Sequence, residues 1–483
     1  MISDKKFLTK KSEDLSKWYN EIIEKAGLVD QSPVKGCMVI MPYGYAIWES
    51  IQRTLDEWFK ADGVQNAYFP LFIPYSLLQK EKKHVEGFSP ELALVTIGGG
   101  ETLHEPLVVR PTSETIMYQS FAKWISSYKD LPLKINQWCN VVRWEKRTYP
   151  FLRTTEFLWQ EGHTVHANEK ETMEMVMRAI NWYKDIFEKK MGISVYVGEK
   201  SESEKFAGAK RTFSVELVIP NGKALQGATS HNLGQNFAKS LDIHFLDNEN
   251  KQILPFQTSW GLSTRAIGGL ILSHGDDNGL VVAPNIAPIQ VVIIGIVSKN
   301  EADMKDVTIH IKRVEEILKK SNIRYSIDKH LDKSIGYRLS ETEIKGIPLR
   351  IEIGPAEVDK NAVIISRRDT FKKEAVSLNK LSTFIEESLD SMQKILLRQS
   401  KEQKEDLTIN VNTFQEFEGV MKNRRSFIRA YWCESATCES KIKELTKATT
   451  RVCELEEMDK NDNGFCIYCK NKARRKWLFA QAY

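Results

Sequence analysis

The segment Arg143–His163, RWEKRTYPFLRTTEFLWQEGH, constrains this chain more than any other stretch. Its halves read as two strands joined by a turn that contains Tyr149 and Pro150. Side chains alternate faces along a strand, so Arg143 and Glu145 share one face of the first half. On the returning half Arg153, Phe157, Trp159, Glu161 and His163 share one face. A surface that offers arginine, glutamate, arginine and an aromatic ring suits a nucleotide. The cations meet phosphates, the carboxylate accepts from an amine, and the flat ring lies against a base.

Length and charge bound the rest. A chain of 483 residues predicts roughly three domains and a large buried core. The 69 basic and 64 acidic residues leave a formal charge of only +5, too weak a bias to announce a nucleic-acid ligand by itself. The polar N-terminus has no signal-peptide core. The apolar run Leu280–Val297 is interrupted by Pro284, Asn285, Pro288 and Gln290, so no membrane span is expected there. Seven cysteines, five of them at or beyond position 433, do not fit a secreted disulfide scaffold and favour a reducing cytoplasm.

Residues 1–283 mix long helices with strands; Tyr45–Lys60 has helical periodicity, and NAYFPLFIP at 66–74 reads as a proline-punctuated strand. APNIAP at 283–288 reads as a linker. Beyond it IQVVIIGIV, a helical stretch at 301–320, IRYSIDK, a helix over Gly336–Lys345 and PLRIEIG alternate strand with helix, which predicts an α/β domain with parallel strands. A helix over about 381–404 leads into a third unit that holds the clustered cysteines.

The R-x-E…R-x-x-x-F pattern of Arg143, Glu145, Arg153 and Phe157 resembles motif 2 of class II aminoacyl-tRNA synthetases. RPTSET, PFLRTTEFLWQEGHT, QGATSHNLGQNF and TSWGLSTRAIGGL resemble the prolyl-tRNA synthetase family, of the type found in archaea and eukaryotes. The resemblance covers nearly the whole chain. It implies an α/β fold class: an α+β catalytic domain (1–283) with an antiparallel sheet flanked by helices, an α/β anticodon-binding domain (284–400), and a C-terminal zinc-binding domain (401–483). The implied reaction is ATP-dependent activation of L-proline and its transfer to the 3′ end of tRNA(Pro). The implied assembly is a homodimer, with Pro70 of a motif 1-like strand at its interface. Bacterial-type members often carry a large editing insertion between motifs 2 and 3; the short stretch from His163 to Trp260 leaves no room for one.

Joining a carboxylate to the α-phosphate of ATP needs alignment and charge neutralisation more than a strong base. By resemblance, Arg143 meets the α-phosphate and the substrate carboxylate, and Arg143 and Arg265 are the catalytic pair. Glu145 accepts from the adenine amine, Arg153 reaches the phosphate tail, and Thr154 contacts the nucleotide through its main chain. Phe157 and Arg265 hold adenine between them. Ser263, Gln226 and Thr229 match further nucleotide contacts, with Gln226 near the Mg²⁺ that accompanies ATP. Thr112, Glu114, Trp159, Glu161, Phe206 and His231 match a proline pocket, whose carboxylates and rings suit a cationic pyrrolidine. Shape alone discriminates proline from alanine or cysteine by only about 1–3 kcal/mol.

Glu343 and Arg350 match anticodon-reading residues, and Lys372 a further basic position; a family lysine falls instead on Ala356. Cys433-x₄-Cys438 and Cys466-x₂-Cys469 form two close pairs of the kind that hold tetrahedral Zn²⁺, and the resemblance implies a structural site. Cys453, Cys37 and Cys139 read as packed free thiols. In similar enzymes the terminal tyrosine, here Tyr483, reaches toward the catalytic pocket.

Overall fold

The computed structural model describes residues 8–79, 92–296 and 301–483. The start of the N-terminal stretch read above, and Val297 of the apolar run, lie outside the described residues. Helices α1 (Leu15–Lys25) and α2 (Pro42–Ala61) open the chain, the latter turning Ile47, Trp48, Ile51, Leu55 and Phe59 into the core at helical spacing. Asp14 caps α1 by accepting from the Lys17 amide.

The segment read as one strand at 66–74 is two, β1 (Gln65–Asn66) and β2 (Phe72–Pro74). Pro70 has no amide to give a ladder, and its neighbours bond elsewhere: Ala67 to the Asn136 carbonyl and the Leu71 carbonyl to the Arg110 amide. A small antiparallel sheet joins β2 to β3 (Ala93–Gly98) and β4 (Glu101–Val109) in the order β2-β4-β3. Helix α3 (Glu114–Trp124) follows.

The hairpin that frames the chain is β5 (Leu133–Val142) and β6 (Glu156–His166), paired antiparallel from Leu133↔Val165 to Val142↔Glu156. Arg143, Glu145 and Arg153 lie beyond the strand ends, on the connecting loop rather than on a strand face. The ladder gives way there to single bonds, from Arg143 N to Thr155 O (2.8 Å) and between Tyr149 and Arg153. Phe151 takes a left-handed φ of 59°, which turns the loop back.

Helix α4 (Glu169–Asp185), capped by Asn168, covers the back of a sheet continued by β7 (Val195–Glu199), β8 (Arg211–Val218), β9 (Ala224–Gly234) and β10 (Phe256–Ser263). Helix α5 (Arg265–His274) leaves β10 at once and is almost wholly buried. A Cβ on Gly268 would lie 2.4 Å from Leu152 Cδ2, so this glycine lets the helix press against the 143–155 loop. Residues 283–288 are no loose linker: Ala283, Ile286 and Ala287 are fully buried in the same core.

The next unit holds β11 (Val291–Gly295), α6 (Glu301–Lys320), β12 (Tyr325–Ile327), α7 (Ile335–Ile344), β13 (Leu349–Ile353), β14 (Ala362–Arg367) and β15 (Lys373–Ser377). Its sheet order is β12-β11-β13-β14-β15. The first three strands are parallel as expected, but β13–β14 and β14–β15 are antiparallel, because their connections, a five-residue helix (Pro355–Asp359) and a turn, are too short for a crossover.

Helix α8 (Leu381–Asp406) leads to β16 (Thr408–Asn410), β17 (Phe427–Tyr431), α9 (Ala436–Thr446), β18 (Ala448–Glu454) and β19 (Lys476–Gln481). These strands join the first unit's sheet: β18 pairs with β7 at Cys453↔Glu199, giving eleven strands in the order β16-β17-β19-β18-β7-β8-β9-β10-β6-β5-β1. Close approach is possible because position 198 is glycine; a Cβ there would lie 2.0 Å from the Cys453 carbonyl.

An ion pair reinforces this seam. Glu216 of β8 is wholly buried and accepts two bonds from Arg451 of β18, at 2.7 and 3.0 Å. Burial pushes its carboxyl up, but Arg451, Lys200 and Ser214 outweigh that and bring it from 4.5 to about 2. A folded value below the unfolded one contributes stability that is present above pH 4.5 and lost as pH falls toward 2. The contribution is about 3 kcal/mol. Urea unfolding followed from about pH 5 down to about pH 2 is expected to lose that amount more in the wild type than in Glu216→Gln.

Candidate active site

The register of the central strands assembles the site. Glu161 on β6 pairs with Gly261 on β10, Gly261 with Thr229 on β9, and Thr229 with Ser214 on β8. The next row on the same face is His163, Ser259, His231 and Thr212. Alternation therefore sends these residues to one side of the sheet, where all but Ser214 line a cavity of about 240 Å³. Thr112 and Glu114 enter from the start of α3, Phe206 from the loop before β8, and Arg143, Phe157 and Arg265 from the far end.

Arg143 sits with its guanidinium 5.3 Å from the Trp159 ring and 5.7 Å from the Phe157 ring, and its Nε donates to the Pro111 carbonyl at 3.1 Å. The two rings, set edge to face with each other, and the carbonyl hold the cation in place before any ligand arrives. Arg265 donates from Nε to the Leu152 carbonyl at 2.9 Å, which ties α5 to the loop. Burial, then the nearby Arg143 and Arg153, lower its guanidinium to about 10. Two arginines facing one cavity raise its potential for an anion.

The opposite end is acidic. Glu161, 3% exposed, accepts from Gln137 at 2.9 Å and from the Ser113 hydroxyl, and lies 3.2 Å from His163 Nε2. Tyr118 bonds the other ring nitrogen of His163 at 3.0 Å. Glu114 is buried beside Thr112, whose hydroxyl donates to it. Phe206 lies 4.6 Å from the His231 ring, and the Thr212 hydroxyl bonds His231 Nδ1 at 3.0 Å. Carboxylates beside an aromatic wall suit a small cationic amine.

The structure thus brings Thr112, Glu114, Arg143, Phe157, Trp159, Glu161, Phe206, Gln226, Thr229, His231, Ser263 and Arg265 into one cavity. Glu145 and Arg153 stand outside it, paired with each other at 2.9 Å, with the Arg153 side chain 57% exposed. Thr154 lines a neighbouring cavity with Cys37 and Gly36. Tyr483 meets Tyr149 of the loop edge to face at 5.8 Å rather than lining the main cavity. His163, Lys200, Glu204, Thr212 and Ser259 also line it, although the sequence did not single them out as site residues. His163 carried a signal, its strand face shared with Glu161; Lys200 carried none, because its setting depends on β18.

Away from this cavity, Arg350 pairs with Glu343 and Glu352, each at 3.0 Å, and is only 6% exposed. Its guanidinium is therefore occupied within the protein, whereas Lys372 is exposed on the turn between β14 and β15.

The four cysteines of the C-terminal unit come together, all Sγ atoms lying within 4.8 Å of one another. Tetrahedral thiolates at Zn–S distances of about 2.3 Å stand about 3.8 Å apart, so Cys433, Cys438, Cys466 and Cys469 fit a zinc ion with no open position. Cys453, Cys37 and Cys139 stand apart as free thiols.

Comparison with known proteins agrees with this geometry. Residues 100–274 match the tRNA synthetase class II core domain (G, H, P, S and T), residues 290–388 the anticodon binding domain, and residues 414–483 the prolyl-tRNA synthetase C-terminal domain. Proline–tRNA ligase of Borrelia garinii subsp. bavariensis is 50% identical over 99% of both chains. That of Natranaerobius thermophilus is 47% identical over 99% of this chain and 98% of its own. A crystal structure of prolyl-tRNA synthetase from Cryptosporidium parvum, complexed with halofuginone and AMPPNP, superposes with a TM-score of 0.93 at 41% identity, covering 98% of this chain and 99% of the other. A catalytic sheet that gathers motif 2 and motif 3 arginines around an acidic, aromatic pocket, matched end to end by such relatives, makes this chain a member of the prolyl-tRNA synthetase family.

Proposed function

We propose a division of labour among the cavity residues for the proline–tRNA ligase reaction that this chain catalyses. A carboxylate oxygen of proline attacks the α-phosphorus of ATP, the new P–O bond forms as the bond to the β-phosphate oxygen breaks, and pyrophosphate leaves. A hydroxyl of the terminal adenosine of tRNA(Pro) then attacks the activated carbonyl, its proton is lost and AMP departs. The observation that carries this reading is Arg143, held against Phe157 and Trp159 in the same cavity as two carboxylates and a second arginine.

Arg143 aligns the carboxylate with the α-phosphate and neutralises charge as the bond forms. Arg265 and Phe157 clasp adenine, while Gln226, Thr229 and Ser263 bind along the nucleotide. Glu145 and Arg153 exchange their mutual ion pair for the adenine amine and the phosphate tail, and the Thr154 main chain meets the nucleotide from the same loop. Gln226 would stand on the side of the Mg²⁺ that accompanies ATP, which would further neutralise the phosphates. Thr112, Glu114, Trp159, Glu161, Phe206 and His231 hold the pyrrolidine and its cationic nitrogen. Tyr483 supports the loop through Tyr149. In the anticodon-binding unit, Glu343 and Lys372 face the tRNA, and Arg350 acts by fixing Glu343.

The chain is of the type without an editing insertion, the archaeal and eukaryotic one, which the short run from β6 to β10 supports. Its functional unit is a homodimer. In support, Tyr68 (71% exposed), Phe72, Leu94 and Ile97 (62%) leave an apolar surface on and beside the small β2-β4-β3 sheet next to Pro70. Seven unpaired cysteines suit a reducing cytoplasm; no described helix is long and apolar enough to cross a membrane.

Proline-dependent ATP–pyrophosphate exchange without tRNA tests the chemistry. Exchange fastest with proline among proline, alanine, cysteine and threonine is expected, and Arg143→Ala is expected to lower it by about 10²-fold or more. Exchange that is absent for every amino acid would overturn the assignment. The zinc reading has its own measurement: the purified wild type is expected to carry about one zinc per chain and Cys466→Ser to lose it, with a lower melting temperature. Wild-type protein free of zinc and equally stable would refute a structural metal.

A further inference from the structure

Behind the cavity wall lies a buried ion triad to which the residue roles above give no task. Glu216 Oε1 accepts from Lys200 Nζ at 3.1 Å and from the Ser214 hydroxyl at 2.7 Å, while Oε2 takes both bonds from Arg451. The side chains of Lys200, Glu216 and Arg451 are 2%, 0% and 6% exposed. One carboxylate against two cations leaves a unit of positive charge out of water, a costly state unless an anion comes to meet it. Arg451 is turned away from the cavity, its Nη1 donating to the Thr449 hydroxyl at 3.2 Å. Lys200 forms part of the cavity wall itself, and Glu216 is the one acceptor it has among the described residues. An ammonium has three donors, so Lys200 keeps donors for a ligand. The nearest other acid, Glu204, stands at the rim, 3.9 Å from Lys443.

The C-terminal unit grips the following residues as well. Glu439 of α9 accepts from Ser201 and Ser203, both at 2.7 Å, and from the Thr450 hydroxyl. The segment that runs from Lys200 to Phe206 is therefore held from below by residues more than two hundred positions later in the chain.

We infer that Lys200 is a further anion-contacting residue of this site, meeting the carboxylate and α-phosphate oxygens that are joined in activation, and that Arg451 is its positioning residue, acting through Glu216. The inference rests on the proline–tRNA ligase reading. With Arg451 in place, Glu216 is shared and Lys200 stays available to the ligand. Without it, Glu216 and Lys200 close into a neutral pair and the cavity loses a positive charge.

The test is steady-state pyrophosphate exchange by the full chain, for wild type, Lys200→Met, Arg451→Met, Arg451→Lys and the double variant Lys200→Met/Arg451→Met. Each single methionine variant is expected to lower kcat by about tenfold to a hundredfold, with KM for proline changed far less. The double variant is expected to be no slower than Lys200→Met, because both changes remove the same contact. Arg451→Lys, which keeps the charge, is expected to recover part of the rate. Lys200→Met within about twofold of wild type, or a double variant that loses the product of the two single effects, would overturn the inference. If Arg451→Met fails to fold, as judged by melting temperature and zinc content, Lys200→Met still decides, since it leaves the Arg451–Glu216 pair intact. A wild type with no exchange would instead refute the underlying ligase assignment.

Discussion

The site depends on the ladder between β6, β10 and β9. Because side chains alternate with a period of two, a slip of one residue in β6 would turn Trp159, Glu161 and His163 away from the cavity together. The register is locked at Gly162, over which the Trp260 ring lies so closely that a Cβ would come within 2.0 Å of it. Trp260 is itself 1% exposed, packed edge to face with Phe59 of α2. The glycine-bearing middle of the sheet is thus closely packed, and the cavity sits on a floor of strands rather than on loops alone.

On that floor the charges are sorted by position. Glu114 and Glu161 stand at one end, Arg143 and Arg265 at the other, and each is fixed by contacts within the protein. Such an arrangement stabilises a developing anion without the cost of reorienting dipoles at the moment of reaction. The Glu145–Arg153 pair is the exception: it lies on the loop, exposed, and is weak enough to exchange for a ligand.

Much of this was legible in the sequence because local pattern and global placement coincide. Phe157, Trp159 and Glu161 recur at strand spacing on β6, Arg265 follows a strand and opens a helix, and the cysteine pairs have a spacing that few other roles would require. What failed was local inference about connections. The motif 2 arginines read as strand residues, but the ladder ends at Val142. APNIAP read as a linker, yet its alanines and isoleucine are buried, since proline punctuation does not reveal what packs on it. Hidden from local inference, too, were the partners of Arg350, which the fold places beside Glu343, Glu352 and Thr342. Lys200 and Arg451 were invisible for the same reason: their meeting depends on pairing β7 with β18, and nothing in either segment announces the other.

The position of β19 has a consequence for how the protein comes into being. This strand, Lys476–Gln481, is not at an edge but between β17 and β18, so residues made more than four hundred positions after the first strand fill an interior place in a sheet begun near residue 65. Tyr483 then closes onto Ala224 and onto the Tyr149 loop. On the ribosome, strands of the catalytic unit are made long before their neighbours across the seam exist. The architecture couples the cavity to residues far along the chain: until β19 is made, β18 lacks the neighbour beside Arg451, and until Tyr483 is made the Tyr149 loop lacks its brace.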